Sequence, residues 1–224
     1  MKTIFEYGVD QRHLDKNPLR KWKTGKETRR KSQLTLEDLR KIQAEANRKG
    51  SRCKHLAWAI EVAWRIPVRP GDDLYGLRFE HIDWNKCGIQ VYHTKVRRSA
   101  FIQLPDDFLW ELRARQKQSK SGYIIEYQGK PIKRLDKALS NTAERLGLNY
   151  DVIMYDVRHL WITTAIDQGF DPSVIAHMAG TSIEMIHANY YEPHAVEQSR
   201  MMQGMPDLNK EENTGKVINI DKEK

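Results

Sequence analysis

From Gly88 to Leu104 the chain alternates apolar and polar side chains (GIQVYHT, then SAFIQL). A helix turns by about 100° per residue and cannot put such an alternation on one face, whereas a strand does so automatically. The two runs are joined by the basic turn Lys95 to Arg98, so the segment predicts an antiparallel hairpin with positive charge at its tip. A short strand is expected again at Tyr123 to Tyr127, and elsewhere helical spacing prevails. The fold class is therefore α+β, mostly α-helical, with a small antiparallel β-sheet at one edge.

Helix signals bracket the hairpin. Thr35, with Asp38 three residues on, resembles a capping box ahead of Leu36, Leu39, Ile42 and Ala46, and a second helix is expected from Cys53 to Trp64. Pro67 and Pro70 interrupt the chain around Arg69, and Asp72 is expected to cap a short helix reaching Leu77. Two more helices are expected at Asp106 to Gln118 and Ile132 to Leu146. From Asp156 to Gln168 the residues Val157, Leu160, Trp161, Thr164 and Ala165 form one buried stripe, with Arg158 off it. Gly169 ends that helix, Asp171-Pro172 starts the next, and Gly180 ends it before Ser182 opens a third.

A length of 224 residues supports one substantial core and a small appendage. The 38 Lys+Arg against 30 Asp+Glu give a net charge of +8, which favours anionic partners without naming one. Cys53 and Cys87 are too few for a disulfide framework and wrongly spaced for a zinc knuckle, which points to a reducing cytoplasm. No signal-peptide or membrane-spanning run is present in the sequence, so no membrane partner is expected. Arg20 to Lys31 (RKWKTGKETRRK) holds seven basic residues and one acid with nothing to bury, the composition of a linker.

Breaking a phosphodiester without a metal takes a nucleophile, fixed cations on the non-bridging oxygens and an acid for the departing oxygen. Arginine suits the second task because its planar fork donates two hydrogen bonds and stays charged. Such groups stand at Arg69, Lys95, Arg158 and Tyr190.

Their order and surroundings resemble the tyrosine recombinase family, in particular its phage-type integrases. VRPGDDLYGLRFEHIDW (Val68 to Trp84) is similar to the family's first arginine box, which implies Arg69 as the first catalytic arginine and Asp72 at the acidic position. HTKVRRSAFIQLP (His93 to Pro105) resembles the hairpin that carries the catalytic lysine, implying Lys95 as general acid. YDVRHLWITTAIDQGFDPSVIAHMAGTSIEMIHANYYEP (Tyr155 to Pro193) resembles the second arginine box through to the nucleophile, implying Arg158 and Tyr190. Many members have histidine where Tyr155 stands, and histidine or tryptophan where Thr181 stands; both hydroxyls can donate to a phosphate oxygen, so the pair reads as a variant site. The fold implied is the tyrosine recombinase catalytic domain. The domains expected are a core-binding remnant at 1–22, a basic linker at 23–33, the catalytic domain at 34–200 and a tail at 201–224, with most of the core-binding domain missing.

The resemblance implies duplex DNA as partner, a homo-oligomer on it (a tetrameric synapse, with a monomer allowed in its absence), and no cofactor or metal. Lys21, Lys23, Lys26, Arg29, Arg30, Lys31, Arg97 and Arg98 are the expected DNA contacts. Tyr191 remains the alternative nucleophile, since neighbouring helical residues cannot both face one phosphate. His159, His177 and His187 are expected to be core or supporting residues. Asp72-Asp73 and Asp106-Asp107 are expected to serve helix starts rather than a metal, and Trp58, Trp64 and Trp161 the core. The competing function is a catalytically weak or silent module that binds or regulates recombination sites; a relaxing topoisomerase would share the chemistry.

Overall fold

The computed structural model describes residues 2–22 and 32–190. The chain divides into two compact units, Met1–Gln33 and Leu34–Lys224. The first holds α1 (Lys2–Asp10), followed by a loop in which the Asn17 side chain donates to Glu6 and accepts the Leu19 N–H at 2.9 Å.

The second unit opens with α2 (Leu36–Asn47), where Thr35 Oγ1 accepts the Asp38 N–H at 3.1 Å and donates to Asp38 Oδ2 at 2.7 Å. This satisfies one of the amides that a helix start leaves unpaired. α3 (Lys54–Arg65) buries Leu56, Ala57, Trp58, Ala59, Ile60, Val62 and Ala63, so it is covered on nearly every side and forms the axis of the core. The Trp58 indole N–H donates to the Ile124 carbonyl at 2.8 Å. In α4 (Asp72–Tyr75) the N-cap position belongs to Gly71, at φ 118°; Asp72 is the first helical residue and not the cap expected of it.

The sheet contains β1 (Ile82–Asp83), β2 (Gly88–His93) and β3 (Arg98–Gln103), antiparallel in the order β1-β2-β3, with His93 opposite Arg98 at the hairpin end. Ile89, Val91 and His93 face inward from β2, and Ala100 and Ile102 from β3. After α5 (Asp106–Gln116), the strand expected at Tyr123 to Tyr127 shrinks to β4 (Glu126–Tyr127), paired with β5 (Lys130–Pro131). The Glu126 carboxylate accepts the hydroxyls of Ser119 and Ser121 and the Ser121 amide, drawing the preceding residues into a loop. α6 spans Asp136–Arg145, so its start falls later than expected.

Three helices complete the described chain: α7 (Met154–Asp167), α8 (Pro172–Ala179) and α9 (Ile183–Tyr190). α7 packs on α3 with one face and on α8 and α9 with another. That sandwiching corrects the single-stripe expectation, because Leu160, Trp161 and Thr164 are only half-buried whereas Arg158 is 4% exposed. The buried apolar residues fall into a main core, from Leu34 to Val157, and a smaller cluster of Ile162, Ala165, Ile175, Ala176, Ala179 and Ile186. Among the described residues no helix is long and apolar enough to cross a membrane.

Candidate active site

α7 starts where two carboxylates take up its first amides: Asp156 accepts the Ile153 N–H and Asp136 the Met154 N–H, each at 2.9 Å. Its first turns then carry Tyr155, Arg158 and His159. The Arg158 guanidinium is driven inward, where Nη1 donates to the backbone carbonyls of Pro67 and Ala179. Pro67 lies two residues before Arg69, and Ala179 immediately before the Gly180-Thr181 turn. One side chain thus fastens together the segments carrying two other candidate groups.

Arg69 is half-buried, and its Nη1 is buried without a hydrogen-bond partner among the described residues. It lies within electrostatic reach of Arg158. Burial first, and this neighbouring guanidinium second, push Arg158 below the ordinary arginine value, against the opposing influence of Tyr155, Tyr190 and Asp73. Two like charges held this close are costly to assemble without an anion between them.

Tyr190 ends α9 half-buried, packed against the smaller cluster. Burial, and then Tyr155, raise its phenol above the ordinary value, while Arg158 pulls the other way. The His159 ring lies 4.6 Å from the Tyr190 ring, tilted by 50°. His159 is itself half-buried, and burial lowers its pKa. His159 is therefore packed against Tyr190. Tyr155 is 49% exposed. Thr181 is half-buried, its amide donating to Ala176 O at 3.0 Å after Gly180 closes α8 in the left-handed conformation (φ 63°).

Arg69, Tyr155 and Tyr190 each lie within electrostatic reach of Arg158, and Tyr155 also within reach of Tyr190, with Thr181 on the turn that Arg158 holds. Lys95 is exposed in the hairpin turn, with no hydrogen bond or ion pair to another described residue. Arg97, at φ 50°, and Arg98 are exposed beside it, and Lys21 is exposed in the first unit. Lys23, Lys26, Arg29, Arg30 and Lys31 lie outside the described residues, as do Tyr191 and the tail.

Two residues of this region have parts the sequence did not reveal. Asp73, not Asp72, is the buried acid: Asp72 is exposed, whereas Asp73 Oδ1 accepts the Thr94 amide at 3.0 Å and its hydroxyl at 2.7 Å. Successive residues of a helix point about 100° apart, so only one of the pair can face the hairpin. Asp73 thereby tethers the residue next to Lys95. His93 is fully buried, with Nδ1 3.8 Å from Asp73 Oδ2. Strand alternation was the available signal, since it places position 93 inward. Among the described residues no cluster of His, Cys, Asp or Glu could hold a metal ion. A cavity of about 460 Å³ lined by Gln43, His55, Trp58, Glu61, Arg115 and Glu126 contains none of these groups.

A profile of the phage integrase family matches residues 32–197. No curated protein matches the chain in sequence. Among solved structures, a lambda integrase dimer bound to a COC′ core site is 20% identical with a TM-score of 0.67, over 87% of this chain and 71% of that one. A Tn1549 transposon integrase in complex with a circular intermediate DNA is 15% identical with a TM-score of 0.71, over 91% and 76%. A lambda integrase tetramer bound to a Holliday junction is 18% identical with a TM-score of 0.66, over 94% and 59%. At these identities the likeness is one of fold.

Proposed function

The chain belongs to the phage integrase family, with the catalytic-domain fold of a site-specific recombinase, and we propose that it cuts and rejoins duplex DNA through a 3′-phosphotyrosine on Tyr190. The observation that supports this reading is that Arg69 and Tyr190 both lie within electrostatic reach of Arg158, itself mounted on two backbone carbonyls. A scissile phosphate seated there supplies the anion that the paired guanidiniums lack.

Tyr190 Oη attacks phosphorus, the bond to the 5′ oxygen breaks, and the phenolic proton is released to water. Lys95 gives a proton to the departing 5′ oxygen. Religation is the same displacement in reverse, with a 5′ hydroxyl attacking and Tyr190 leaving. Tyr155 and Thr181 donate hydrogen bonds to the non-bridging oxygens in place of imidazole and indole donors. No metal or cofactor has a part. Asp73 positions Lys95 by holding Thr94.

Residues 34–200 would be the catalytic domain, with 1–22, 23–33 and 201–224 as core-binding remnant, linker and tail. Arg97, Arg98, Lys21 and the linker residues Lys23, Lys26, Arg29, Arg30 and Lys31 meet the DNA backbone, so binding weakens steeply with salt. By analogy with the lambda integrase tetramer on a Holliday junction, the working form is a homo-oligomer on DNA. A protein acting this way works in the cytoplasm.

A duplex nicked beside the scissile phosphate tests the reading, because the small 5′ fragment diffuses away and traps the covalent complex. Wild type and Tyr191→Phe should form the adduct and Tyr190→Phe should not. An adduct that survives Tyr190→Phe would reassign the nucleophile, and none from wild type would leave a silent DNA-binding module.

A further inference from the structure

The inward positions of β2 are Ile89, Val91 and His93, so an apolar residue would be the default at the third. Instead a fully buried imidazole stands there, and neither ring nitrogen makes a hydrogen bond with another described residue. Burying polar atoms in that state carries a desolvation penalty, which a leucine of similar volume would avoid. Packing alone therefore does not account for the choice.

The surroundings of the ring do. Asp73 Oδ2 stands 3.8 Å from Nδ1, likewise buried and without a hydrogen bond. The ring also lies against Gly180, where an added Cβ would fall 2.1 Å from the same Nδ1. An ordinary helix end with Gly180's φ of 63° tolerates asparagine. Here any side chain would run into His93, so the glycine and the histidine form a matched pair. Arg69, Arg98 and Arg158 are the cations that face the ring.

We propose that His93 is a positioning residue for strand transfer: packed beside the Asp73 carboxylate and against the Gly180 backbone, it holds the Lys95 hairpin in register with the Gly180-Thr181 turn. The inference rests on the function proposed above. Through Ala179, whose carbonyl takes Arg158, the same packing sets the depth of the second guanidinium. Burial lowers the His93 pKa, and the three arginines add to this against the influence of Asp73. Protonation would place a further cation among Arg69, Arg98 and Arg158. It would also draw Asp73 away from Thr94, loosening the tether of Lys95. The neutral form is the working one, so activity should be present above the lowered value and lost as pH falls through it.

The test uses the full chain and the nicked duplex, with adduct formation and DNA affinity measured separately. His93→Ala and His93→Leu should slow the adduct by roughly 10²-fold, the effect of a misplacement of about 1 Å, with little change in affinity. His93→Gln, which keeps a polar group, should recover part of the rate and abolish the acid limb of the wild-type pH profile. Gly180→Ala, which forces the ring and the turn apart, should slow cleavage by more than loss of the imidazole does, and adding His93→Ser should restore it to about the rate of the His93 variants.

If His93→Leu cleaves like wild type, the ring is only a filler and the proposal fails. It fails equally if the acid limb persists in His93→Gln, or if Gly180→Ala is not relieved by the second change. A wild-type protein forming no Tyr190 adduct would instead bring down the proposed function and this inference with it. Should His93→Ala not fold, the glutamine variant and the Gly180 pair still decide.

Discussion

The cations and the phenol of the candidate site stand on different foundations. Arg69 and the first turns of α7 are seated in the main core, flanked by Val68, Leu74, Met154 and Val157, and Arg158 is riveted to two carbonyls. Tyr190 rides on the small cluster, to which α9 contributes one buried residue, Ile186. A grip set in a large core is preorganised and costs no rearrangement when charge develops. A helix anchored by little apolar surface opens locally at small free-energy cost. Under the proposed function, phosphate binding would fall to the rigid part of the domain and strand attack to the part that yields.

The sharpest way to break this contrast is Arg158→Ala. It strips the Pro67 and Ala179 carbonyls of their donor and, under the proposed function, removes a clamp on the phosphate. Adduct formation should fall by about 10²–10³-fold, as for loss of an oxyanion donor. Urea denaturation should show a loss of about 2–6 kcal/mol, from roughly 1–3 kcal/mol for each of the two buried carbonyls left unpaired. Unchanged stability would mean that the rivet does not tie the segments together.

Next come paired cavities. Leu56→Ala in α3 should lower global stability by about 2–5 kcal/mol while the folded fraction cleaves normally. Ile186→Ala should do the reverse, speeding hydrogen exchange in α9 and slowing cleavage with a smaller shift in the global midpoint. Equal effects on both readouts would abolish the distinction between the two foundations.

A smaller effect follows from the Tyr190 phenol, which is protonated at neutral pH like any tyrosine and is pushed further above the ordinary value by burial and Tyr155. Above the His93 limb, the adduct rate should climb by up to about tenfold per pH unit, with no plateau below the ordinary tyrosine value near 10. A plateau at pH 8 would indicate another group. The smallest change is expected from Thr35→Ala, which uncaps α2: about 1 kcal/mol of stability and no change in cleavage.

Those features set by local rules were legible in the sequence. Alternation placed the hairpin, Thr35 and Asp171 marked helix starts, and Gly180 a helix end. β1 and β5, each only two residues long, are too short for any period to register. At the site, the four chemical groups stood out by order and context, but their supports did not. Choosing Asp73 over Asp72 required knowing which side of α4 meets the hairpin. Arg158 fell off the expected buried stripe because a one-face pattern does not anticipate a helix covered on two sides. The position of His93 followed from alternation, whereas its neighbours Asp73 and Gly180 come from distant segments that only folding brings together.

The seats of Arg158 lie 91 and 21 residues away along the chain. A protein severed between β3 and α5 would part the guanidinium from its Pro67 seat while leaving the Ala179 one intact. Activity recovered on mixing the two fragments would then report native docking of the halves, which makes this joint a natural place to build a split reporter.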